Sequence, residues 1–132
     1  MSTVKLYNRT GDEKAQNAQA NIEKGLGFIP ETYQAMGRSG AFLNSVLQLD
    51  QAAGANLDEK TRQLIMIAVS AANGCGYCVD AHHALGLKAG LTDEEISGAV
   101  EIAAMMSAYN TFNKALGLNH DVNASALGLT VG

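Results

Sequence analysis

Apolar and polar residues along this chain recur three and four apart, the spacing of a helix face. No stretch alternates in the period of two, with β-branched character, that a strand would show. Asp12 to Lys24 is polar and predicts a first helix; Gly25, Gly27 and Pro30 end it and open the next segment. Pro30, the only proline, suits a first helical turn, where its missing N–H costs nothing. Glu31 to Met36 then predicts a short helix closed by Gly37. Ser39 can cap another, running to about Ala53, with Phe42, Val46 and Leu49 as its apolar face. Gly54 and Asn56 break the chain again.

The second half is more apolar. Leu57 to Asn73 predicts a helix whose positive start is favoured by Asp58 and Glu59. Its stretch LIMIAVSAA is apolar on every side, so it predicts burial in a core or between subunits. Asn73-Gly74 is a stop, since glycine takes a positive φ freely. A helix from the cysteines to about Lys88 follows, ended by Ala89-Gly90. Thr92 to Glu95 reads as a capping box, with three acids in the first turn of a last helix reaching about Leu116. That helix is again apolar nearly all round, through Ile96, Val100, Ile102, Met105, Met106, Tyr109 and Phe112. Met66, Met105 and Met106 read as core residues, and residues 119–132 as a loose tail. The expectation is an all-α fold of about six helices in a single domain spanning residues 1–132, with no internal repeat and no linker.

Composition narrows the class. The 132 residues are 47% hydrophobic and 17% charged, which suits a chain with a real core and argues against disorder. A net charge of −4 and no cluster of Lys and Arg leave no basic face for nucleic acid. The polar start MSTVKLYNRTGDEKAQ does not read as a secretory signal. The longest apolar run, near Leu64–Ala72, is too short to cross a bilayer. A cytoplasmic location is therefore expected. In that reducing compartment a CxxC pair is more often reactive or metal-binding than a permanent staple.

The chemistry concentrates in NGCGYCVDAHHALG, residues 73–86, which holds both cysteines and two of the three histidines. On one helix Cys75, Cys78 and His82 share a face, while His83 falls well round it. The free N–H groups of a first turn favour a thiolate. A histidine one turn on can take the thiol proton, and a second thiol can close a disulfide once the first is oxidised. Spacing alone does not say which thiol attacks. The other readings are zinc and a structural pair of inert cysteines. A structural zinc site usually needs four protein ligands, and outside the cluster only His120 remains as an obvious donor. Buried cysteines are common and often inert. Asp80 reads as a solvated helix-start charge, and the Gly25–Gly27 stretch lacks the preceding strand of a phosphate loop.

The stretch LDEKTRQLIMIAVSAANGCGYCVDAHHALGLKAGLTDEEI, together with the upstream GFIPETYQAM, resembles the carboxymuconolactone decarboxylase superfamily. Within it, the chain resembles the alkylhydroperoxidase D-like proteins, over roughly residues 20–117. The specific feature is CxxC, three residues, then His, preceded by a long apolar helix and Asn-Gly. The resemblance implies an all-α trimer or hexamer that reduces hydroperoxides by thiol chemistry, without haem, flavin or metal in the subunit. It implies that Cys78 attacks the peroxide, that Cys75 resolves the sulfenic acid, and that His82 serves the proton relay to Cys78. It also implies a dithiol or lipoyl-type protein as reductant. Two positions depart from the family pattern. The relay glutamate twelve residues before the first cysteine is Gln63 here, and Glu59, one turn earlier on the same face, is the acid that could serve instead. The histidine next to the second cysteine in the best-known members is Tyr77. Three functions follow as expectations: a thiol-dependent hydroperoxidase, a non-redox enzyme of the decarboxylase type, or a non-catalytic helical assembly protein. The decarboxylase branch generally lacks the cysteine pair.

Overall fold

The structure is a computed structural model that describes residues 1–130, so the last two residues of the expected tail lie outside the described residues. Six helices and no strand are present among the described residues. They fall into two compact units, residues 1–56 and 57–132 by chain division.

The first unit holds α1 (Glu13–Leu26), α2 (Glu31–Met36) and α3 (Gly40–Ala52). Asp12 caps α1 by accepting from the Ala15 N–H, and the same carboxylate accepts from the Gly40 N–H at the start of α3. Those two backbone bonds, Gly40 first, hold its carboxyl below the ordinary value. Ala15, Ala18 and Leu43 form the centre of this unit, with Tyr33, Met36 and Leu47 packed around them. The inward face of α3 is therefore Leu43 and Leu47. Phe42 and Leu49, read from their spacing as part of one apolar face, are exposed. The helix carries apolar residues on two adjoining faces, and α1 selects the one with Leu43.

The polar helix α1 also buries a residue that periodicity does not mark. Gln19 is 0% exposed. Its Oε1 accepts from the Arg9 N–H at 2.8 Å, and its Nε2 donates to the Tyr7 and Tyr33 carbonyls at 2.7 and 3.0 Å. Both amide hydrogens and the amide oxygen are thus engaged, which is what makes its burial tolerable.

The second unit holds α4 (Glu59–Asn73), α5 (Gly76–Lys88) and α6 (Asp93–Lys114). Asp58 caps α4 by accepting from the Thr61 N–H, and Thr92 with Glu95 forms the complete capping box its sequence suggests at α6. Ile67, Leu91, Ile96 and Ala99 make the core, with Leu64 and Ala68 against it. Helix α5 approaches this core at Gly86, where a Cβ would meet Leu91 Cδ1 at 3.0 Å and Ile67 Cδ1 at 3.8 Å.

Only Ile96, Ala99 and Ala103 of α6 are buried. Ile102, Met105, Met106, Tyr109 and Phe112 form a row on another face, and all are exposed. Met105 and Met106 are thus not core residues of this chain, since every residue of α6 beyond Ala103 is exposed. Inside the segment expected to be a loose tail, Asn123 begins a turn. Its Oδ1 accepts from the Ala126 N–H, its carbonyl accepts from the Leu127 N–H, and the Leu129 N–H returns to the Ala124 carbonyl.

Candidate active site

The cysteine pair sits where α4 hands over to α5. Gly74 ends α4 with φ 76°, a left-handed conformation natural for glycine. Its N–H and that of Cys75 close on the Ala71 and Ser70 carbonyls at 3.2 and 3.0 Å. This turn delivers Cys75 to the N-cap of α5 and Cys78 to its first turn. The two are joined in a disulfide, with Cα atoms 5.4 Å apart. Cys75 Sγ also accepts from the Cys78 N–H at 3.3 Å, taking the place of the usual capping oxygen. Both cysteines are half-buried.

His82 lies one turn after Cys78 on the same helix, so the two share a face. Its Nδ1 is 2.9 Å from Oε1 of Gln63 on α4. Gln63 is only 4% exposed, and its Nε2 donates to Glu59 Oε1 at 2.8 Å. Glu59 accepts at its other oxygen from Arg62 Nη1 at 3.0 Å. The Gln63 amide bond, with Arg62 and the nearby His82, holds the Glu59 carboxyl below its ordinary value against the opposing effect of burial. Glu59 is therefore a carboxylate at neutral pH.

Four expected site residues, Glu59, Gln63, His82 and Cys78, thus run from the start of α4 to the first turn of α5, with Cys75 closing the row. Glu59 reaches His82 through the Gln63 amide. Arg62 joins this row without having been singled out by the sequence. Its charge reads as surface in a periodicity plot, yet its side chain is only 16% exposed. His83 points elsewhere. It is exposed and lines a shallow groove of about 530 Å³ with Val79, Asp80, Ser97, Val100 and Glu101. Tyr77 is half exposed at the surface of α5. His120, the remaining donor outside the cluster, lines a different depression with Asn110, Lys114 and Asp121. Among the described residues no three or more His, Cys, Asp or Glu side chains gather as a metal site. No helix among them is long and apolar enough to cross a membrane.

The sequence model of the carboxymuconolactone decarboxylase family matches residues 40–120. A protein of Maricaulis maris named alkyl hydroperoxide reductase AhpD is 41% identical over 68 residues, 52% of this chain and 39% of that protein. Its namesake in Rhodopseudomonas palustris is 35% identical over 92 residues, 70% of this chain and 51% of its own length. This chain therefore spans about half or less of the curated relatives it matches. The crystal structure of an alkylhydroperoxidase AhpD core from Rhodospirillum rubrum superposes with a TM-score of 0.78, covering 96% of this chain and 98% of that one at 24% identity. That likeness establishes the fold.

Proposed function

The chain belongs to the carboxymuconolactone decarboxylase family, and on that premise we propose that it is a thiol-dependent hydroperoxide reductase. The observation that carries this reading is the disulfide-linked pair Cys75–Cys78 at the start of α5, with His82 one turn on and tied to Gln63. The names of its AhpD relatives point the same way.

The disulfide is the oxidised end of the cycle. In the reduced form Cys78 lies in the first turn of α5, where helix N–H groups stabilise an anion. His82 takes the Cys78 thiol proton. The thiolate then attacks one oxygen of the hydroperoxide and the O–O bond breaks. The alcohol leaves with a proton, and Cys78 becomes a sulfenic acid. Cys75 attacks the Cys78 sulfur, the S–S bond forms, and the S–O bond breaks to release water. One hydroperoxide and two thiols have become one alcohol, one water and one disulfide. A dithiol or lipoyl-type protein returns the pair to thiols by exchange. Gln63 and Glu59 position His82. The chain works as a cytoplasmic homotrimer or homohexamer, its copies covering the exposed row on α6.

Anaerobic thiol titration before and after one equivalent of an alkyl hydroperoxide tests the reading. Both thiols should disappear, with an intramolecular disulfide and a mass loss of two hydrogens per chain. Only intermolecular or overoxidised products would remove the resolving role of Cys75. Stoichiometric zinc in the purified protein would favour a metal-binding pair instead.

A further inference from the structure

Gln63 has two ends, and the groups at each end decide how it must lie. At one end Glu59 is a carboxylate and can only accept. The Gln63 NH2 must therefore face it, as its Nε2 does at 2.8 Å. The reverse orientation would set a carbonyl oxygen of Gln63, itself only 4% exposed, against the anion, at the cost of a buried lone pair without a donor. The other end of the amide is then Oε1, which also can only accept. His82 Nδ1, 2.9 Å away, must supply the hydrogen. A neutral imidazole carries one hydrogen, so Nε2 is left with its lone pair.

Arg62 secures the far end of the row. Its Nη1 donates to Glu59 Oε2 at 3.0 Å, so both carboxylate oxygens are engaged, one by the guanidinium and one by the amide. Without that hold, Glu59, whose side chain is 54% exposed, is free to swing into solvent and release the amide.

We infer that Arg62 and Glu59 act as positioning residues that fix the tautomer of His82 through the Gln63 amide, leaving Nε2 as its one basic nitrogen. This departs from a relay in which an acid exchanges a proton with the histidine. An amide does not ionise near neutral pH, so no proton passes from His82 to Glu59 along this row. The row sets orientation, and the proton that His82 takes from Cys78 leaves by a route other than Glu59. Only the use made of Nε2 rests on the hydroperoxide reductase reading; the tautomer stands apart from it.

The test is 15N–1H NMR of the imidazole rings in the disulfide form, at a pH where His82 is neutral. Its resonances are assigned by their loss in His82→Gln. In the wild type Nδ1 should carry the hydrogen in about tenfold excess or more, the bias that a hydrogen bond of ordinary strength sustains. Glu59→Gln lets the Gln63 amide turn over, and Arg62→Gln lets Glu59 leave. Both should lose that bias and populate the Nε2–H form, while Arg62→Lys should largely keep it. A wild-type His82 protonated at Nε2 would overturn the inference without need of any variant. So would either Gln variant retaining the wild-type shifts with unchanged helical circular dichroism, or Arg62→Lys behaving as Arg62→Gln. No peroxide is used, so a protein inert toward peroxide with His82 locked at Nδ1–H would refute the proposed function and leave the lock standing.

Discussion

His82→Ala removes the group proposed to take the Cys78 proton. It should slow peroxide-dependent thiol loss by about 10²–10⁴, the usual range for losing acid–base help; stopped-flow oxidation under anaerobic conditions reads this directly. His83→Ala is the control, because His83 lines the groove on another side of α5, and its rate should stay near the wild type. Equal losses in both would mean that the shared face is misassigned. Gln63→Glu replaces a donor by a second carboxylate within hydrogen-bonding distance of Glu59. Two carboxylates there cannot both stay ionised cheaply, so the pair's folded-state pKa rises. A raised folded-state pKa contributes stability at low pH that is lost as pH climbs through it. Gln63→Glu should therefore be less stable than wild type at about pH 7 and close most of that gap at about pH 5, as read by urea midpoints. Glu59 in the wild type has the opposite sign. Its pKa is lowered, so its contribution is full above the ordinary value of 4.5 and is lost as pH falls through the lowered one. Unchanged relative midpoints across that range would show that the two carboxylates do not meet.

At the level of elements, the starts of the helices are where local chemistry decides, and the caps at Ser39 and Thr92 were readable in the sequence. Asp12, Ser39, Asp58 and Thr92 each accept from a backbone N–H three residues on. Thr92→Ala breaks the capping box of α6 and should lower stability by about 0.5–2 kcal/mol in urea denaturation; no change would mean that the core around Ile96 holds the helix start by itself. Which apolar face turns inward was not readable at α3. Phe42 with Leu49 and Leu43 with Leu47 both keep helical spacing, and only the partner helix α1 chooses between them. Gln19 was invisible for a related reason. A glutamine on a polar helix carries no mark of burial, and its role comes from the chain around Tyr7 and Arg9 folding back onto it. At the candidate site the shared face of Cys75, Cys78 and His82 followed from spacing. The link from Gln63 to His82 depends on how α4 and α5 pack, and Arg62 enters only through that packing.

For the whole molecule the decisive feature is the α6 row. Ile102, Met105, Met106, Tyr109 and Phe112 lie on one side of a helix whose residues beyond Ala103 are all exposed, with Tyr109 at 57% and Phe112 at 66%. A row of that kind marks an interaction surface. Multi-angle light scattering should give a mass of three or more chains at micromolar concentration, and Tyr109→Glu or Phe112→Glu should reduce it. A wild-type monomer would refute the proposed assembly. If copies of the chain do cover this row, folding and association become one equilibrium, and stability follows mass action. The melting temperature should then climb with each dilution step reversed. Samples weak enough to dissociate should lose the C-terminal half of α6 first, because its turns have no buried contact of their own to hold them once the neighbouring copies have gone.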